Sequence, residues 1–304
     1  MDQGNRVGNE YSTVSIVGAG PAGVACALQL RKMGVDFVIF EKDRIGGLVR
    51  NAFHISNYPG FPEGLSGKEF ADNLERQLRY MGIKVIFKRV ERVSLVNEEK
   101  FQISYGSKVL ISHFAVIATG TLPKKLENIK GIENVSDYLY YDVESLPQVF
   151  NKRVAIIGSG DIAFDYALSV VSRGAREVYL LIRGNYPKCN ADLLSRVSIH
   201  PNIRIIFETH ILSFDISHFN SEILIRFESS GNLNLLNCDI VLVAIGRVPD
   251  LTCLDSNVIN SHLLNERIFM IGDVNPQNRR YLAFAVKDGL ECALKIYERL
   301  KLGG

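Results

Sequence analysis

Two stretches of this chain carry the same order of residue types: Val14-Ser-Ile-Val-Gly-Ala-Gly-Pro-Ala-Gly23 and Val154-Ala-Ile-Ile-Gly-Ser-Gly-Asp-Ile-Ala163. Each is a β-branched apolar run, then a glycine loop, then a helical pattern. That order lets a βαβ unit set a dinucleotide pyrophosphate on a helix N-terminus, where unpaired N–H groups and the helix dipole favour an anion. One such loop is weak information, because glycine-rich turns are common. Two in one chain, each answered by matching downstream motifs, predict two dinucleotide sites and electron movement between them.

The parts recur in order. In the first copy, the strand 14–17 enters the loop Gly18–Gly23, a helix follows with Gly34 as its stop, and the strand Val35–Phe40 ends in Glu41. It closes with Phe114-Ala-Val-Ile-Ala-Thr-Gly120. In the second copy, the strand 154–157 enters Gly158-Ser-Gly160, a helix stops at Gly174, and the strand Val178–Ile182 ends in Arg183. Ile240-Val-Leu-Val-Ala-Ile-Gly246 closes it. Short alternating runs between loop and closing strand, Phe101–Tyr105 and Ile223–Phe227, read as small antiparallel meanders. Lys68–Met81 reads as a helix with Phe70, Leu74, Leu78 and Met81 on one face. After Gly246 come a strand, Ile268–Ile271, then Gly272-Asp273, then an amphipathic helix over about 281–302. The expectation is an α/β chain of two Rossmann-like three-layer dinucleotide-binding domains, the second inserted into the first. Residues 1–122 and 247–304 form one domain and 123–246 the other, with Pro123 and Gly246–Pro249 as candidate hinges.

Composition limits the rest. The chain has 304 residues, 47% apolar and 22% charged, enough for two ordinary cores. A net charge of +2 without a basic block gives no case for nucleic acid. The longest uncharged run, Tyr11–Leu30, is broken by Gly18, Gly20, Pro21 and Gly23 and reads as strand, loop and helix, not as a membrane span. With no targeting segment evident, the expected location is cytoplasmic. Cys26, Cys189, Cys238, Cys253 and Cys292 are widely spaced, with no CxxC, and neither they nor the six histidines show metal-ligand spacing.

The two loops differ in what they would read. Gly18 permits the tight turn, Gly20 allows close approach of a pyrophosphate, and Gly23 lets the helix pack on the strand. Glu41, about twenty residues on, is placed to accept hydrogen bonds from ribose hydroxyls. The second copy has Arg183 at that place, no acid from Val178 to Asn190, and Lys188 five residues further on. Cations there suit a 2′-phosphate, hence NADP(H), with NAD(H) the other possibility.

Taken together, these residues resemble the thioredoxin reductase-like family of FAD- and NAD(P)-dependent flavoproteins, low-molecular-weight branch. The resemblance rests on Gly18-x-Gly-x-x-Gly23 with Glu41, Gly46-Gly47-Leu48, Asn57-Tyr-Pro-Gly60 and Ala118-Thr-Gly120. It continues with Gly158-x-Gly-x-x-Ala163 and Asp165, Ala244-Ile-Gly-Arg-x-Pro249, and Gly272-Asp-Val274 with Arg280-Tyr281. It implies FAD contacts from Gly18, Gly20, Pro21, Ala22, Glu41, Lys42, Gly47, Leu48, Asn57, Thr119, Gly120, Gly272, Asp273, Arg280 and Tyr281. Val90 resembles a strand position whose backbone meets the adenine. A nicotinamide nucleotide would lie on Gly158, Gly160, Asp161, Ile162, Arg183 and Lys188. It also implies a homodimer. Thioredoxin reductases carry a CxxC shortly before the second copy's first strand; here that region reads Tyr141-Asp142-Val143-Glu144. The bacillithiol disulfide reductase-like branch keeps a cysteine in the first loop, where this chain has Ala22. The branch that normally lacks CxxC is similar to ferredoxin–NADP reductases of thioredoxin reductase-like type, although their C-terminal flavin-covering extension has no counterpart up to Gly304. The flavin would serve as the redox centre, with no catalytic acid, base or nucleophile and no metal. The expected acceptor is a ferredoxin- or flavodoxin-like protein, a quinone or dioxygen. A partner's thiol system, and a flavin-binding redox sensor without turnover, stand as alternatives.

Overall fold

The computed structural model describes residues 10–217, 222–261, 263, 266–277 and 279–302. Its first part runs β1 (Glu10–Val17), α1 (Pro21–Lys32), β2 (Phe37–Glu41), α2 (Gly67–Tyr80), β3 (Val85–Phe87), β4 (Arg92–Asn97), β5 (Lys100–Tyr105), β6 (Lys108–Ile117) and β7 (Thr121–Pro123). The second part is β8 (Leu139–Tyr140), β9 (Arg153–Ile157), α3 (Asp161–Ser172), β10 (Glu177–Leu181), α4 (Ala191–Ser198), β11 (Ile203–Ile206), β12 (His210–Ile216), β13 (Ile223–Ser229), β14 (Asn232–Cys238), β15 (Ile240–Val243) and β16 (Arg247–Pro249). The chain ends with α5 (Ser256–Ile259), β17 (Ile268–Met270) and α6 (Leu282–Leu302).

Contacts divide the chain into two compact units: residues up to Arg50 with Ser56–Leu122 and everything from Pro249, and Asn51–Ile55 with Pro123–Val248. In the first unit the sheet runs β3-β2-β1-β6-β5-β4. β17 lies parallel to the C-terminal half of β6, while the N-terminal half pairs with β5. Both faces of the central strands are covered, so Val14–Val17 and Phe114–Ile117 are apolar at nearly every position, whereas β5 alternates. Val14, Ile16, Phe114 and Val116 point to one side, among residues of α1 and α6. Val17, Ala115 and Ile117 point to the other, with Val93, Phe101 and Ile103 of the meander. Ser15 and Ser112, buried in this sheet, are satisfied by a mutual 2.8 Å hydrogen bond.

The second unit repeats the plan. Its parallel sheet runs β11-β10-β9-β15-β8. Val154, Ile156, Val178 and Leu180 face α3 and α4. Ala155, Ile157, Tyr179 and Leu181 face the separate sheet β12-β13-β14. Each unit is therefore helices, parallel sheet and antiparallel meander, the expected two-Rossmann α/β class.

Element bounds shift by a residue or two. α2 begins at Gly67 because Ser66 and Glu69 form a reciprocal capping box. Its apolar face is narrower than the periodicity indicates, with Phe70, Ala71 and Leu78 buried. Val90 is a correction: it is buried but lies between β3 and β4, outside any strand. The ladder to β2 stops at Phe87, opposite Glu41, and the Lys88 N–H then turns back onto Ile86 O.

α6 packs against α1 with almost no space between them. A Cβ on Gly289 would overlap Ala22 O and come within 2.9 Å of both Ala25 Cβ and Cys26 N. Backbone atoms cannot swing aside, so Gly289→Ala is expected to destabilise the protein by about 2–3 kcal/mol. Gly184→Ala, where the nearest atom would be 3.8 Å away, should stay within about 0.5 kcal/mol. Urea unfolding of both variants checks the contrast.

Candidate nucleotide sites

The glycine loop follows β1 in the first unit and β9 in the second. Gly18 has φ of +108° and Gly158 +155°. A Cβ on Gly18 would collide with Ala118 O, and one on Gly158 with Ala244 O. The next glycines are the opposite case: nothing lies within 4 Å of a Cβ on Gly20 or Gly160. The first glycine is thus required by protein packing. The second faces open space at the start of a helix, where first-turn N–H groups lack an i−4 partner. Pro21 contributes no N–H at the first loop, and the Ala163 N–H turns back onto Gly160 O at 3.0 Å at the second. This is the donor set and the clearance a pyrophosphate needs, and it fits at both loops.

Other motif residues gather on the first unit's loops, all at the carboxyl ends of parallel strands. Glu41, only 7% exposed, ends β2 and accepts the Ala19 N–H at 2.8 Å and the Asp43 N–H at 3.0 Å. A carboxylate has about four lone-pair sites, so Glu41 retains acceptor capacity while it fixes the loop. Lys42 pairs with Asp250 at 3.4 Å. The Gly46 N–H donates to Ala19 O at 2.8 Å, which ties the Gly47–Leu48 turn to the glycine loop. Thr119 donates to Asp250 O at 2.6 Å beside Gly120. Gly272, ahead of Asp273, donates its N–H to Asp288 at 3.0 Å and would press a Cβ against that of Ala22, next to Pro21. Asn57, Arg280 and Tyr281 are exposed on other segments.

In the second unit, Gly158, Gly160, Asp161 and the exposed Ile162 follow β9. The Asp161 carboxylate accepts the Asn190 N–H at 2.8 Å, and the Lys188 N–H donates to Ser159 O at 2.7 Å. These bonds draw the segment from Arg183 to Asn190 over the glycine loop. The side chains of Arg183 and Lys188 are exposed, and neither makes an ion pair among the described residues.

Asp165, on α3, is a site the sequence alone does not explain. Its carboxylate accepts the Phe53 N–H at 2.8 Å, which holds Asn51–Ile55 in this unit. Burial pushes its pKa up to about 6, against the lowering effects of the Phe53 and His54 N–H groups and Arg196. Nearby, the segment 141–144 holds an ion pair. Asp142 accepts from Arg247 at 3.0 Å and from the Tyr166 hydroxyl at 3.3 Å, and the Glu144 N–H donates to Asn51 at 3.0 Å. Burial, then the Asp142 charge, pushes the Tyr166 hydroxyl far above its ordinary range, so it remains a donor.

With this geometry in place, comparison with known proteins decides the family. The model of the family "Pyridine nucleotide-disulphide oxidoreductase" matches residues 12–289. The chain belongs to that family. It is 27% identical over 298 residues to a thioredoxin reductase of Ureaplasma parvum, covering 94% of this chain and 96% of that one. It is 28% identical over 291 residues to a thioredoxin reductase of Treponema pallidum, covering 91% and 93%. In fold it is similar to Lactococcus lactis thioredoxin reductase (TM-score 0.85, 22% identity, 96% and 99% covered). It is also similar to the bacillithiol disulfide reductase of Bacillus cereus (TM-score 0.75, 23% identity, 95% and 100% covered). This pyridine nucleotide-disulphide oxidoreductase is accordingly an FAD-dependent NAD(P)H oxidoreductase of thioredoxin reductase-like type, a class whose cofactors are FAD and NADP(H).

Its own cysteines do not form a dithiol centre. Cys26 and Cys292 meet inside the α1–α6 contact, and their mutual hydrogen bond, then burial, pushes the Cys26 thiol well up. Burial pushes Cys238 to about 12 and Cys253 to about 11, and raises the half-buried Cys189, with Asp161 adding to the effect. No group of His, Cys, Asp and Glu among the described residues could hold a metal, and no described helix is long and apolar enough to cross a membrane.

Two outcomes are expected. In the native protein a thiol reagent such as DTNB should modify Cys189 slowly and the other four only on unfolding, which a titration with and without urea checks. Asp165 binds its proton more tightly when folded than its ordinary value of 3.8 allows. Its contribution therefore favours folding at low pH and is lost as pH rises through about 6. Between pH 5 and 7.5 the wild type should lose about 1.4 kcal/mol that Asp165→Asn does not lose, measured by urea unfolding at both pH values.

Proposed function

We propose that this enzyme takes electrons from NADPH and passes them through FAD to an acceptor that is not a disulfide. The observation that supports this reading is the Asp142–Arg247–Tyr166 cluster in the segment 141–144, where the resemblance to thioredoxin reductases leads one to expect a vicinal dithiol. Thiol–disulfide exchange needs an attacking thiolate, and the native environment disfavours that form at Cys26, Cys189, Cys238 and Cys253. Bound FAD supplies the redox chemistry, accepting electrons from a nicotinamide and releasing them to the acceptor.

The protein's own part is binding and orientation. Gly18, Gly20, Glu41, Gly47, Asn57, Gly120, Asp273 and Arg280 would hold FAD. Gly158, Gly160, Asp161, Arg183 and Lys188 would hold the nicotinamide nucleotide, with the two cations on its 2′-phosphate. Candidate acceptors are a ferredoxin or flavodoxin, a quinone and dioxygen. A relative 27% identical over 298 residues is described as a 34.2 kDa protein in the rubredoxin operon of Clostridium pasteurianum, which accords with an electron-carrier protein. We also place the protein in the cytoplasm as a homodimer, in keeping with the family resemblance. A thiol system served through a partner's cysteines or through Cys189 is the second reading, favoured by the relatives named thioredoxin reductase.

Purified protein should be yellow, and NADPH should bleach it in the absence of air. Reoxidation is then followed with ferredoxin, flavodoxin, quinone, oxygen and thioredoxin in turn. Fast reoxidation by a non-thiol oxidant is the expected result. Reduction of insulin through thioredoxin, abolished by Cys189→Ser, would replace this reading with the second. Arg183→Ala should raise the KM for NADPH at least about tenfold with little change for NADH, as the loss of a charge-assisted phosphate contact requires.

A further inference from the structure

No acid stands at the end of β10 in the sequence, yet the fold brings one there from the neighbouring strand. β10 and β11 are parallel partners, with Leu181 opposite Ile206. Their hydrogen bonding continues beyond the strands: the Ile182 N–H donates to Ile206 O at 2.8 Å, and the Glu208 N–H to Gly184 O at 2.9 Å. Arg183 and Glu208 therefore leave the sheet side by side at its carboxyl edge. Both line a single cleft of about 350 Å³, together with His210, Glu228 and Ser230. No ion pair joins Arg183 to either glutamate among the described residues, so the cleft has a cationic and an anionic wall that do not neutralise each other by contact.

Glu208 is held in place at a cost in backbone strain. Its φ is +53° and that of Ser230 is +49°, a left-handed conformation that few residues other than glycine adopt. The Ser230 hydroxyl donates to the Glu208 carboxylate at 2.8 Å. Ser230 and Gly231, both at positive φ, make the two-residue turn of the β13–β14 hairpin, and this turn, 22 positions along the chain, holds the Glu208 carboxylate.

The adenosine ribose of a dinucleotide lies at the carboxyl end of the second strand of its βαβ unit, here β10. A carboxylate there accepts hydrogen bonds from the 2′-hydroxyl of NAD(H) and repels a 2′-phosphate carrying roughly two negative charges. Resting on the reading of the Gly158–Ala163 loop as the nicotinamide nucleotide site, we propose that Glu208 is a specificity-determining residue of that site. It offsets the pull of Arg183 on a 2′-phosphate, so that the site admits NADH beside NADPH.

Calorimetry of NADP+ and NAD+ binding to the oxidised, FAD-loaded protein tests this without turnover. Glu208→Gln should tighten NADP+ about three- to tenfold, the effect of one charge removed a few ångströms from a phosphate near the surface, and leave NAD+ unchanged or weaker. Glu208→Asn, which suits the left-handed backbone, should act in the same direction. Glu228→Gln is the comparison for the general field of the cleft. Unchanged NADP+ affinity in both Glu208 variants, or equal tightening in Glu208→Gln and Glu228→Gln, overturns the proposal. Loss of NADP+ affinity in Arg183→Ala within the same series shows that the site reading stands and that Glu208 alone has failed. A wild-type protein that binds neither nucleotide overturns both.

Discussion

The contact on which the rest depends is the close approach of a glycine loop to the end of the strand that closes its unit. Gly18 lies against Ala118 and Gly158 against Ala244, each with no room for a Cβ. That contact fixes where the following helix starts, with open space beside the next glycine, Gly20 or Gly160. Around the first loop, Glu41, Gly46 and Gly272 are each bonded or packed against the loop or the helix that follows it. A side chain at Gly18 or Gly158 would therefore displace a whole set of loops at the carboxyl edge of its sheet, well beyond one turn.

The sequence was most legible where a residue's role follows from its neighbours in the chain. Val14–Val17 and Val154–Ile157 are apolar at nearly every position because both sheet faces are covered, and that pattern is local. The positive φ of Gly18 and Gly158 is likewise implied by the loops themselves. Contacts set by tertiary folding were not legible. Nothing near Phe53 shows that Asp165, 112 positions away, accepts its N–H. Nothing near Cys26 points to Cys292. Glu208 is invisible as a ribose-site residue, since its approach to Arg183 depends on the parallel pairing of β10 with β11. Val90 was misplaced for a related reason: β3 ends when its partner strand does, and pairing length is a property of two strands.

The segment 141–144 is held by electrostatics, through the Asp142–Arg247 pair. Arg247 is about one-tenth exposed and Asp142 about one-third, and a buried guanidinium needs such a partner to offset its lost hydration. The Tyr166 hydroxyl completes the set. A cluster of this kind orients and holds, and it has no electrons to give. The family fold is thus kept with a charged cluster in this segment.

The first unit is discontinuous in the chain, and this has a consequence for the order in which the protein is made. β17 and α6 lie in its core, with Ile268, Phe269, Cys292 and Ile296 buried there, but the ribosome reaches them only after all of the second unit. The second unit, from Pro123 to Val248 with Asn51–Ile55, has its complete set of strands available first. Domains fold as units during synthesis, so the later half of the sequence can be native while the apolar faces of β1, β6 and α1 still await their partners. In this chain the inserted second unit is finished before the first unit, which the chain begins.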